Sequence, residues 1–204
     1  MSSKNPPLPV GYYPVSPGNI ANTVICMEMT QKPVLRTPKS NHGLTLVRLE
    51  NPDLDNYRTF YRQVGENWLW DKHLAMSDEE LRKTLTDPQI ETYILYEGTR
   101  QSGLLTLDFR EPEECEIVYF GVIQDCIGKG AGRFLMDSAL SIAWGHPIKR
   151  LWLHTCNFDH PDTVAIYKHF GFHPYAYMVE VVPDARLGGF ISRTAAPHVP
   201  LIDP

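Results

Sequence analysis

The run from Cys115 to Ile123, CEIVYFGVI, constrains the fold more than any other part of the chain. After one glutamate it is almost wholly apolar, and a strand without polar alternation has to be covered on both faces, at the centre of a sheet flanked by helices. It leads into a loop with glycine at 128, 130 and 132, and then into a helix predicted over 130–144. Leu135, Ala139 and Ile142 fall on one stripe of that helix, Met136, Leu140 and Ala143 on the next, and Gly145 stops it. Strand, glycine turn and helix in succession can make an anion site, because the first N–H groups of a helix have no partner within it.

The surrounding pattern supplies the rest of such a sheet. Alternation predicts a strand over 43–49, and helical spacing of Leu54, Tyr57, Tyr61 and Val64 predicts a helix over 52–64. Ser77 followed by Glu80 has the form of a capping box opening a second helix. Strands over 91–96 and 102–109 are joined through Glu97-Gly98-Thr99. After a strand over 151–155, Pro161 suits the first turn of a helix running to Phe170, with His160 as its N-cap, and 175–182 reads as a last strand. Residues 1–42 are rich in proline and read as an arm or edge carrying one added strand over 22–30; 43–183 form the globular domain, and 184–204 an extended tail.

With 204 residues and 43% hydrophobic content, the chain can bury one sizeable core. A net charge of −5 without a dense basic run argues against nucleic acid as a partner. The start carries no apolar export segment and no long uncharged apolar run follows, so a cytoplasmic address without membrane contact is expected. Cys26, Cys115, Cys126 and Cys156 show no CxxC spacing, and neither a disulfide nor structural zinc is expected. His154, His160, His169 and His173 have no metal-ligand spacing and read as surface or capping residues.

Two nucleotide families are excluded by spacing. A Walker A loop needs Gly-Lys-Ser/Thr, whereas Lys129 precedes Gly130 and no hydroxyl follows it; a dinucleotide GxGxxG starting at Gly128 would need glycine where Arg133 stands. What remains, Ile127-Gly128-Lys129-Gly130-Ala131-Gly132 after Phe120-Gly121-Val122, resembles the pyrophosphate motif of the GNAT superfamily of acyl-CoA-dependent N-acyltransferases. Glu116-Ile117-Val118-Tyr119 resembles the start of that family's fourth strand, and Tyr167-Lys168-His169-Phe170-Gly171-Phe172 its tyrosine-x-x-x-Gly-Phe ending. Trp152 to Cys156, Asp159-His160-Pro161 and Glu66 to Trp70 resemble an uncharacterised bacterial branch of it.

The resemblance implies an α/β (α+β) GNAT fold, with a mixed, mostly antiparallel sheet of about seven strands, a parallel pair at the CoA site and four flanking helices. It implies acetyl-CoA as co-substrate, no metal, and a primary amine, small-molecule or peptide, as acceptor in a ternary complex. It implies that amides from Gly128 through Lys129, Gly130, Ala131 and Gly132 to Arg133 hold the pyrophosphate, and that the backbone of Phe120, Gly121 and Val122 lies along the pantetheine. Ile127 departs from the family's arginine or glutamine, which leaves the holding to the backbone. His160 replaces a pantetheine-contacting asparagine; Asn157 either substitutes for it or caps a loop. Lys129 and Arg133 either add charge to the site or are solvated.

Amine acylation needs a base for the ammonium proton and an acid for the leaving thiolate. Glu116 is the expected base, since a carboxylate in an apolar run costs several kcal/mol unless paired or functional; the alternative is an exposed strand start. Asp108 is the reserve base. Tyr167 is the expected acid, or else a core aromatic. A backbone N–H near Val122 would stabilise the oxyanion. An acyl-CoA-binding sensor without transfer and a purely structural protein are the competing readings, and a homodimer through the added strand over 22–30 is a further possibility of the sequence.

Overall fold

The computed structural model describes residues 7–34 and 43–204. The strands are β1 (Asn19–Met29), β2 (Leu44–Arg48), β3 (Ile90–Glu97), β4 (Arg100–Asp108), β5 (Glu114–Val122), β6 (Arg150–Cys156) and β7 (His173–Pro183). The helices are α1 (Leu54–Gly65), α2 (Lys72–Ala75), α3 (Asp78–Leu85), α4 (Ala131–Ala143) and α5 (Thr163–His169). All seven strands form one sheet in the order β2-β3-β4-β5-β6-β1-β7, and every neighbouring pair is antiparallel except β5 with β6. The mixed sheet with its single parallel pair is the architecture expected; the one-turn α2 brings the helices to five.

The centre of the sheet is covered on both sides. Leu104 and Leu105 are consecutive in β4 and point to opposite faces, yet both are fully buried. α1 packs against β4 and β5, α3 against β3, and α4 against β2, β4 and β5. The capping box at α3 forms as its sequence suggests: Ser77 Oγ accepts from the Glu80 N–H while Glu80 Oε2 accepts from the Ser77 N–H. No helix among the described residues is long and apolar enough to cross a membrane.

Three segments differ from expectation. The strand expected over 22–30 is β1, and it lies in the sheet between β6 and β7, paired on both sides over Val24–Glu28 and with β7 alone before that. It is therefore not an edge strand over Val24–Glu28, where a partner copy has no free edge to pair with; parts of the expected arm, 1–6 and 35–42, lie outside the described residues. Helix α5 starts at Thr163 with Asp162 as N-cap; the His160 carbonyl accepts from the Thr163 N–H and its Nδ1 from the Asp162 N–H. The tail is irregular rather than extended. It turns back at Ala196, whose φ is 48°, and buries Ala185, Ile191, Ala195 and Val199.

A buried ion pair organises that tail. Arg186 donates through Nε and Nη2 to both oxygens of Asp184 at 2.9 and 2.7 Å, and through Nη1 to the carbonyls of Val199 and Ala195 at 2.8 and 3.3 Å. Burial alone would raise the Asp184 carboxyl, but the Arg186 guanidinium outweighs it and holds the group below its ordinary range.

Candidate active site

The parallel pairing of β5 with β6 stops at Ile117 and Leu153. β5 continues to Val122 with β4 alone, and a bulge at Val118, between Leu107–Ile117 and Thr106–Tyr119, turns it away from β6. The strands splay, leaving the β6-facing backbone of β5 beyond Ile117 without a strand partner. The notch opens into a cleft of about 1140 Å³. Gly121 is required where α1 comes down onto β5: a β-carbon there would stand 2.7 Å from Val64 Cγ1.

One end of the cleft is the glycine loop. Gly128 and Gly130 have φ of 76° and 91°, a region costly for residues with a β-carbon, and Gly130 caps α4 without any side-chain hydrogen bond. Gly132 is different. It sits in the first turn of α4 where an added β-carbon would meet nothing within 4 Å, and the same is true at Gly128. Open space on the cleft side of two glycines, at an uncapped helix N-terminus, fits a bound pyrophosphate. Of the residues expected at this end, Phe120, Gly121, Val122, Gly128, Gly130, Gly132 and Arg133 line the cleft, as does Ile127, while Lys129 and Ala131 do not. Asn157 lies off the cleft; its Oδ1 accepts from the Thr23 N–H at 2.6 Å and ties the end of β6 to β1. Asp159 holds the same turn by accepting from Thr155 Oγ1 and the Cys156 N–H.

At the centre stand the acid–base candidates. Glu116 itself does not line the cleft. Its Oε1 is 3.1 Å from His154 Nδ1 across the parallel pair, and His154 does line the cleft. A carboxylate on Nδ1 fixes the neutral ring with its proton there and leaves Nε2 as a free acceptor. Asp108 is bonded through both oxygens to Arg110. Tyr167 lines the cleft with its ring 6.1 Å from that of Phe120, and burial holds its phenol well above the ordinary range, so it stays protonated.

Another part of the lining is legible in the sequence, where Trp68, Trp70 and Tyr119 either line an acceptor pocket or are core aromatics; all three line the cleft. Leu69, in a left-handed conformation at φ 58°, swings Trp68 and Trp70 to either side of itself, and both line the cleft together with Asp71. Trp70 packs on Tyr119 at 5.1 Å, and Trp68 lies against His160 at 5.8 Å. Asn22 from β1 and Glu180 from β7 complete the wall. Among the described residues no group of three or more His, Cys, Asp or Glu could hold a metal ion.

The model of the acetyltransferase (GNAT) family matches residues 54–172. Solved structures share the fold at low identity. A functionally unknown conserved protein from Staphylococcus epidermidis superposes with a TM-score of 0.58 at 12% identity, covering 82% of this chain and 63% of that one. A GNAT-family protein from Novosphingobium aromaticivorans gives 0.58 at 14%, covering 83% and 69%. The ribosomal-protein-S18-alanine N-acetyltransferase from Escherichia coli gives 0.53 at 15%, covering 69% and 94%. This chain thus spans less than two thirds of the Staphylococcus protein's length. Among curated proteins none matches the sequence.

Proposed function

Because the chain belongs to the acetyltransferase (GNAT) family, we propose that it transfers an acetyl group from acetyl-CoA to a primary amine by direct attack within a ternary complex. The observation that carries the reading is that a single cleft is lined by an uncapped, glycine-bearing helix N-terminus, by the β5–β6 notch and by aromatic and acidic side chains. Acetyl-CoA supplies the activated thioester. The amides of 128–133 hold its pyrophosphate, with Arg133 adding charge at the rim, and the unpaired backbone of Phe120, Gly121 and Val122 aligns the pantetheine arm as an added strand would.

The proton of the attacking amine goes to His154 Nε2. Glu116 acts through it, keeping the proton on Nδ1 and stabilising the ring once charged, so the expected base becomes a positioning residue. Tyr167 donates to the departing thiolate, and free N–H groups of β5 near Val122 face the negative charge that develops on the carbonyl oxygen. A cytoplasmic address is part of the reading; Cys26, Cys115, Cys126 and Cys156 are all free thiols, as a reducing compartment keeps them. With β1 enclosed, a homodimer would have to use the β2 or β7 edge or a helical face.

The test measures acetyl-CoA binding by calorimetry and thiol release with a panel of amines. Micromolar binding and amine-dependent thiol release are expected, and no binding at millimolar acetyl-CoA would sink the proposal. Binding without release from any amine would favour a sensor. His154→Gln and Glu116→Gln should each lower kcat by about 10²–10⁴ without changing acetyl-CoA affinity. Unchanged turnover in His154→Gln removes it from the role.

A further inference from the structure

Two apolar surfaces of this chain are left uncovered by the rest of it. One is the outer face of β7. Glu180 and Val182 line the cleft, so the alternate residues Tyr177, Val179 and Val181 point to the opposite face of the sheet, and all three are exposed. The other is the arm at 7–17, where Leu8, Val10, Tyr12, Tyr13 and Val15 are exposed; Val10 and Tyr12, at 108% and 105%, are as open as in an isolated chain. Of the fifteen large apolar side chains exposed among the described residues, these two segments hold eight, so the exposure is concentrated rather than scattered.

β7 is also the last strand of the sheet and pairs with β1 alone. Edge strands are ordinarily protected by proline, lysine or a bulge. From Ala176 to Val182 there is no proline and no basic residue, the register shift against β1 comes earlier, and the one charge, Glu180, faces the cleft. The arm at 7–17 carries no charge at all. Neither surface holds a lysine or arginine for nucleic acid or anionic lipid, and neither holds a charge that two copies would repel through.

The two surfaces are also placed to meet. Asn19 pairs with Pro183, so the arm leaves the body at the Pro183 end of β7. A two-fold axis that sets β7 beside the β7 of a second copy runs the strands antiparallel and brings that end of each copy next to the opposite end of the other. Extended, the arm reaches about 36–40 Å, enough to run the length of β7 at about 37 Å. By their exposure the eight side chains offer on the order of 1,000 Å², against the roughly 800 Å² that each partner buries in a stable interface.

We propose that a second copy of this chain covers both surfaces: the β7 edges pair antiparallel about a two-fold axis, and the arm of each copy lies across Tyr177, Val179 and Val181 of the other. The contact uses the face away from the cleft and does not depend on the transfer reading.

Sedimentation equilibrium of the full chain tests it. A mass of two chains that rises no further is expected at micromolar concentration, because the pairing uses up the free edge. Tyr177→Lys with Val179→Lys puts ammonium groups into a dry contact, and Val10→Ser with Tyr12→Ser strips the arm; each pair should weaken association about tenfold or more. All four side chains are exposed, so the variants keep the fold, which far-UV circular dichroism checks. A single-chain mass at about 100 µM overturns the proposal, whether the arm then lies back on its own β7 or serves another protein. So does a dimer that survives either pair of substitutions, or a mass that keeps rising with concentration.

Discussion

At Gly132 a β-carbon would meet nothing within 4 Å, and the residue is helical, so the protein alone gives no reason for glycine there. Alanine should raise stability by about 0.5–1 kcal/mol through helix propensity. If a pyrophosphate occupies the open space, the same substitution should weaken acetyl-CoA binding. A thermal melt and a titration on Gly132→Ala therefore have expected changes of opposite sign, and unaltered affinity would move the anion elsewhere. The three alternate glycines were legible as a candidate anion turn because they follow a buried strand and open a helix. Glu116 stands out in the sequence as the one carboxylate in an apolar run, but its place off the cleft, against His154, does not. His154 was not legible: in LWLHT its outward position looks like ordinary alternation, and only the parallel register of β5 and β6 brings it to Glu116.

At the level of elements, the joint between α1 and α2 is held by a buried polar contact. Tyr57 Oη lies 2.7 Å from His73 Nδ1, and the His73 ring stacks on Tyr61 at 5.0 Å. Burial lowers His73 to about 4 from an ordinary value of 6.5, with the nearby charge of Lys72 adding to it. The folded form thus binds this proton less readily than the unfolded chain. The stabilisation is fully present above pH 6.5 and is lost as pH falls towards 4, a change on the order of 3 kcal/mol. Melting temperatures from pH 7 to 4 should fall, and His73→Gln, which keeps an acceptor for Tyr57, should flatten part of that fall; a parallel curve would remove His73 as the cause. Because Trp70 and Asp71, at the entrance of α2, line the cleft, acid should loosen this part of its wall first. Periodicity revealed nearly every element but could not say which strands are neighbours. β1 alternates in the same way whether it lies at an edge or between β6 and β7.

For the molecule as a whole, the tail is part of the core. Arg186→Leu would leave Asp184 charged and buried and would free the carbonyls of Ala195 and Val199, at a cost of about 3–5 kcal/mol. The melting temperature should drop by roughly 10 °C, and a drop no larger than that of an exposed arginine variant would show the tail to be an ornament. Its proline content made the tail look extended; the tight turns that prolines also permit, and the ion pair Asp184–Arg186 two positions apart, carry no periodic signal.

Asn22 and Glu180 are hydrogen-bonded although 158 positions separate them. β1 can find neither neighbour until β6 and β7 exist, and closing so long a loop is slow. The glycine turn and its notch draw on residues near one another in the chain and order sooner. The wall of the cleft made by the glycine turn thus rests on near-neighbour contacts, and the wall made by β1 and β7 on distant ones. On the proposed reading, a chain that lacks β7 should lose the second wall while the first keeps its local contacts.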